Sequence, residues 1–320
     1  WELGLKLGGA TYGEILRRGG GIYSTIALTE AASDEELMRS LGERISVSLM
    51  HGAGALEVKT GYAGSPSGEA RLLGIIRRAK FIAGLTDTLL MHVPPREGDR
   101  EMYVKGMIEA LPHLMPSFAD VFCDEGAFTV DESRRFLSAA ARLGIGLRLH
   151  ADELANIGCS ELISELPLSS IDHLLKTPSD TMAKIAKSRA AAVLLPCTAL
   201  SMMSSEKPRI DVLRREGGIP ALGTDFSPNS WCPSMEMAME LSTYLYGLTP
   251  LEALMAATVN SAYSLGLNGI GIVTPGSRAF LAIWNVAKVD WLTYWVGGGK
   301  LRRLVLGNTV VNLQSLNYGH

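Results

Sequence analysis

GLRLHADE, residues 146–153, decides how this chain is read. Its first half is a short, mostly apolar run of strand length. Its second half breaks into a histidine and two carboxylates, His150, Asp152 and Glu153, where the strand should end. The same unit recurs on both sides. Strand-like runs occur at ALEVKTGY (55–62), DTLLMHV (87–93), ADVFCDE (119–125), SSIDHL (169–174), AAVLLPC (191–197) and PALGTD (220–225). Between them lie helical stretches such as SGEARLLGIIRRAKFIAG (67–84), DESRRFLSAAARLG (131–144) and PSDTMAKIAKSRA (178–190). An earlier helix, SDEELMRSLGERISVSLMHG (33–52), starts at a capping residue, Ser33 or Asp34.

Short strands alternating with helices predict parallel βαβ units in an α/β fold, a (β/α)8-type TIM barrel. Seven strand runs are visible where a closed barrel has eight. The shortfall falls at the front, where the chain opens with an amphipathic segment and a glycine loop, GGGIYST (19–25). The expectation is a barrel over residues 1–272 that lacks its first strand. Two further helical stretches, SMEMAMELSTYLYG (234–247) and TPLEALMAATVNSAYSLG (249–266), close this part. Residues 273–320, with AFLAIWNV (279–286) and LRRLVLGNTVVN (301–312), are expected to supply the C-terminal strands of a small β-sandwich domain.

The 320 residues are 47% hydrophobic and 20% charged with a formal net charge of -3, a soluble globular balance. That charge and the lack of a basic run argue against nucleic acid or an acidic membrane as partner. No apolar stretch is long enough to span a bilayer, and WELGLKLGG lacks the blocks of a signal peptide. The expected setting is cytoplasmic, with a small-molecule substrate as the partner and a homodimer left open. Cys123, Cys159, Cys197 and Cys232 are widely spaced, which predicts reduced thiols.

Side chains at the C-terminal ends of barrel strands face the active site. Here those ends carry Lys59, Tyr62, His92, Glu125, His150, Asp152, Glu153, Asp172, His173 and Asp225. A histidine, a nearby acid and a distant strand-end aspartate suit a divalent ion, zinc or iron, that would acidify a water. Glu153, three residues past His150, is spaced to move that water's proton. Each has a plainer reading. His150 could be a core histidine, His173 or Asp225 a helix cap, and His92 a loop residue stiffened by the two following prolines. His51, His113 and His320 are read as structural, exposed or terminal.

Taken in order, GGGIYST, EVKTGY, HVPPRE, ADVFCDEGAF, LRLHADEL, SSIDHL, AVLLPCTAL, GTDFSP and TPLEALMAATVNSAYSLGL resemble the signatures of imidazolonepropionases. The resemblance runs through nearly the whole chain. It implies an amidohydrolase-superfamily barrel with an appended β-sandwich. The implied reaction opens the ring of 4-imidazolone-5-propanoate with water to give N-formimidoyl-L-glutamate, a step of histidine degradation. By motif, His150 and Asp225 resemble metal ligands, Glu153 the general base, and His173 the group holding the attacking water. Tyr62, His92 and Ser230 resemble substrate contacts, with Glu153 also touching substrate. The family's His-x-His metal pair and a following arginine have no counterpart after Trp1, which implies weak metal binding and little activity for this chain alone. The family's D-x-N-P-G reads Asp225-Phe226-Ser227-Pro228-Asn229, placing Ser227 and Asn229 at two product-contacting positions, and Phe280 replaces an aspartate near the β-domain. These departures keep two other readings open: another cyclic amidase or purine aminohydrolase of the same superfamily, and a non-catalytic barrel.

Overall fold

Strand order in the main sheet follows the chain. The computed structural model, which describes residues 1–312 apart from 11, 80–83, 97 and 298, places β1 (Leu56–Lys59), β2 (Leu85–Met91), β3 (Phe118–Cys123), β4 (Gly146–Ala151), β5 (Ser170–His173), β6 (Ala191–Leu194) and β7 (Ile219–Leu222) side by side. Every neighbouring pair is parallel. Among the described residues β7 does not pair back to β1, so the sheet is a curled half-barrel of seven strands. His320 and the 80–83 end of one helical reading lie outside the described residues.

Strand alternation sorts the two faces of this sheet. Leu89, Met91, Ala119, Val121, Leu147, Leu149, Ile171, Ala192 and Leu194 point outward into one apolar core shared with the covering helices. The opposite parity carries buried polar groups instead: Thr88, Asp120, Arg148, His150 and Asp172. Only β6 and β7 keep an apolar inner face, through Ala191, Val193 and Ala221. One face therefore holds the fold and the other holds chemistry.

The helix Val130–Arg142 shows how the outer layer forms. The Thr129 hydroxyl accepts from the Glu132 N–H while the Glu132 carboxylate accepts from the Thr129 N–H, a closed capping box. Ser133, Phe136, Leu137 and Ala140, at helical spacing, are buried on β3 and β4. Phe136 is fully buried. Phe136→Ala is expected to cost about 3–5 kcal/mol in urea unfolding; a loss below about 1 kcal/mol would contradict this packing.

The remaining strands form a separate antiparallel sheet in the order β10-β9-β8, from β8 (Phe280–Trp284), β9 (Leu301–Leu306) and β10 (Thr309–Asn312). The run LRRLVLGNTVVN reads as one piece in sequence but folds as a hairpin, because Gly307 adopts φ 62 and lets the chain reverse. Leu301 and Leu304 pack on Ile45 and Leu49 of the helix Asp34–Met50. Likewise 249–266 is two helices, Pro250–Ala257 and Val259–Ser264, broken at Thr258. No described helix is long and apolar enough to cross a membrane.

One expectation is corrected outright. Cys123 and Cys159 form a disulfide, whereas the spacing predicted four reduced thiols. Their Cα atoms lie 5.8 Å apart although 36 residues separate them in sequence. The end of β3 and the loop after β4 meet in space, which linear spacing does not reveal. Cys197 and Cys232 remain free thiols.

Candidate active site

The floor of the site is an ion network on the inner face. Lys59 Nζ lies 2.6 Å from Asp120, 3.3 Å from Asp172 and 3.3 Å from Glu57. Arg148 Nε approaches Glu57 at 3.2 Å, and its Nη1 donates to the Ser264 carbonyl at 2.8 Å. Burial would lower the Lys59 pKa, but the three carboxylates outweigh it and hold the ammonium charged. Burial would raise Asp120, yet His150 and Lys59 keep it far below the usual carboxylate range.

His150 stands on this floor. Its Nδ1 lies 3.0 Å from Asp120 Oδ1, which fixes the ring and leaves Nε2 for another partner. Burial favours neutral imidazole, but the Asp120 carboxylate raises its pKa above the ordinary value. The His173 ring is centred 5.4 Å from that of His150, and His173 Nε2 is 3.5 Å from Glu153 Oε2.

His173 and Glu153 are odd-numbered, and strict alternation would turn them away from even-numbered His150 and Asp172. Left-handed backbone at Asp152 (φ 58) and His173 (φ 75) breaks that alternation and brings them in. Asp225 is also left-handed, at φ 47. Such conformations are costly for residues other than glycine and gather where a site over-determines them. The Thr198 hydroxyl donates to Asp225 Oδ2 at 2.6 Å. Burial first, then the Asp225 charge, raises the Glu153 pKa, against the opposing pull of His173.

On the other wall, Tyr62 and His92 meet edge to face at 5.1 Å, and Phe122 closes on His92 at 5.7 Å. His92 is pushed down to about 4 by burial and by charge at His150, so it is neutral near pH 7. Its Nδ1 and the Ser230 hydroxyl are buried without a well-formed hydrogen bond among the described residues. Buried polar atoms are seldom left so unless something else meets them. Ser227 and Ser230 close the loop after Asp225 by exchanging backbone hydrogen bonds of 3.0 and 3.1 Å. Asn229 is exposed and accepts from Lys6 Nζ at 3.4 Å, and Glu125 is also exposed.

Among the described residues one group of donors stands close enough together to hold a cation. Asp120, His150 and Asp172 each offer an atom within 4.8 Å of the others. The Lys59 ammonium already lies against both of these aspartates, so a dication there would have to displace it. His150 Nε2 points away from this network, and the ring of His173 is centred 5.4 Å from that of His150, so an imidazole donor remains on the far side of the ring.

Sequence reading missed Asp120 and Asp124, which support this site from β3. The signal was present: Asp120, Phe122 and Asp124 alternate along ADVFCDE, so one strand face carries two carboxylates that an apolar strand does not need. Glu69 was missed too. It accepts from the N–H groups of Gly61 and Ala63 at 2.5 and 2.8 Å and so brackets Tyr62, but it sits within a helix and looks like an ordinary exposed acid.

A parallel half-barrel with imidazole and carboxylate groups gathered at its strand ends defines a barrel hydrolase of the amidohydrolase class. The family model described as the amidohydrolase family matches residues 122–307. An imidazolonepropionase of Pyrobaculum arsenaticum is 50% identical over 301 residues, covering 94% of this chain and 76% of the relative. An imidazolonepropionase of Deinococcus radiodurans is 38% identical over 314 residues, covering 96% and 77%. Among solved structures, a zinc-bound adenosine deaminase of Xanthomonas campestris matches 91% of this chain and 73% of its own with a TM-score of 0.69. At 16% identity that likeness speaks to the fold alone. The chain belongs to the amidohydrolase family and, within it, to the imidazolonepropionases.

Proposed function

We propose that this chain opens the ring of 4-imidazolone-5-propanoate with water to give N-formimidoyl-L-glutamate, with Glu153 as the proton carrier. The observation that carries this reading is the largely shielded Glu153 carboxylate, 3.5 Å from His173 Nε2, whose ring neighbours that of His150. A divalent ion, zinc or iron, held by His150 and Asp225 would lower the pKa of water toward neutrality and polarise a carbonyl. Everything else falls to the chain. His173 orients the water toward the ring carbonyl carbon. Glu153 takes the water's proton and delivers it to the ring nitrogen as the carbon–nitrogen bond breaks, so one carboxylate serves as base and then acid. Neutral His92 donates to the ring carbonyl, Tyr62 packs beside it, and the Ser230 hydroxyl meets the substrate from the loop side. Ser227 and Asn229 shape that loop.

Assaying the enzyme against imidazolonepropanoate and adenosine tests the reading. The expected outcome is hydrolysis of the first and none of the second; the reverse would favour a purine aminohydrolase. Asp120→Asn should weaken zinc binding by roughly 10–100-fold in chelator competition, because the bond that orients His150 loses its charge. An unchanged affinity would show that Asp120 does not act through His150.

A further inference from the structure

Asp124 lies one residue beyond β3 and is buried. Its Oδ2 accepts from the backbone N–H groups of Glu153 at 2.8 Å and Leu154 at 3.0 Å, and its Oδ1 accepts from Ala155 at 2.8 Å. The N–H of Glu125 adds a fourth bond at 2.7 Å. Three of these donors are successive amides of the loop after β4, and the first belongs to Glu153. A carboxylate that spends three of its four bonds on another strand's loop is costly to bury unless that loop must be held.

The rest of the loop is tied in the same way. At its start, the left-handed Asp152 accepts from Thr177 Oγ1 at 2.6 Å and Asn156 Nδ2 at 3.0 Å. At its far end, Cys159 is bonded to Cys123, the neighbour of Asp124. Start, middle and end are thus anchored, the last two to consecutive residues at the end of β3, Asp124 and Cys123.

We infer that Asp124 is a positioning residue for Glu153: it fixes the backbone of residues 153–155 so that the Glu153 carboxylate faces His173 Nε2. The inference rests on the reading of Glu153 as proton carrier. A misplacement of about 1 Å at a reacting group costs on the order of 10²-fold in rate. Losing the anionic acceptor of three amides is enough to produce it.

The test uses the metal-loaded enzyme and the variants Asp124→Asn, Glu153→Gln and the pair together. Asp124→Asn is expected to lower kcat by about 100-fold with KM within about twofold. Metal content and thermal midpoint should hold, and amide hydrogen exchange should quicken at residues 153–155 while the flanking strands are unchanged. Added to Glu153→Gln, it should cost nothing further, since both act on one group. Normal kcat in Asp124→Asn beside an inactive Glu153→Gln overturns the inference alone. Normal turnover in Glu153→Gln overturns the proton-carrier reading and the inference with it. Unchanged exchange at 153–155, or losses that multiply in the pair, also count against it. Should Asp124→Asn fail to fold, Asp124→Glu carries the charge one methylene further, and the same fall in kcat at constant KM is expected.

Discussion

Glu153→Gln lowers turnover by about 10²–10⁴-fold, the usual worth of a positioned proton carrier, while metal content and the unfolding midpoint stay as they were. The amide keeps the shape of the side chain and can still meet His173, but it can neither take a proton from water nor give one to the leaving nitrogen. Wild-type activity should carry the mark of the same group. Burial raises the Glu153 pKa above its ordinary 4.5, and the base works only when ionised. The acid limb of kcat/KM is therefore expected above the ordinary carboxylate range, with activity lost as pH falls through that raised value. Turnover in Glu153→Gln within a factor of two of the parent would remove Glu153 from the mechanism.

Lys59→Met destabilises the fold by about 3–5 kcal/mol, the cost of breaking a buried ion pair from one side. The ammonium lies within 3.3 Å of three carboxylates, and two of them, Asp120 and Asp172, are almost wholly buried. Methionine fills the same space but leaves those charges to Arg148 and His150 alone. His150 is then drawn further toward Asp120 as imidazolium, a form that cannot bind a metal, so zinc affinity should fall together with stability. Urea unfolding and chelator competition read the two effects separately. A change below about 1 kcal/mol would mean that water, not Lys59, balances these aspartates.

Much of this was legible in the order of residues. Strand-length runs alternating with amphipathic helices announced a parallel sheet, and seven runs became seven strands in chain order. The polar ends of those runs pointed to one face, because a barrel strand that stops in His or Asp has little else to do with it. Supports were harder to read. Asp120 and Asp124 sit in an apolar run whose composition hides them, and their partners lie about 30 residues away in sequence. The left-handed turns at Asp152 and His173 were invisible, since no glycine marks them. The Cys123–Cys159 bond depends on the end of β3 meeting the loop after β4, which only the folded sheet arranges. Chain reversal at Gly307 was marked by the Gly307-Asn308 pair and was passed over, whereas the helix break at Thr258 has no glycine or proline beside it to mark it.

The location of the metal decides the account most directly. Crystals soaked with zinc and measured at its absorption edge are expected to show one anomalous peak about 2.0–2.2 Å from His150 Nε2 and from the Asp225 carboxylate, with Lys59 still bridging Asp120 and Asp172. A peak seated between Asp120 and Asp172 with Lys59 displaced, or none beside His150, would contradict it.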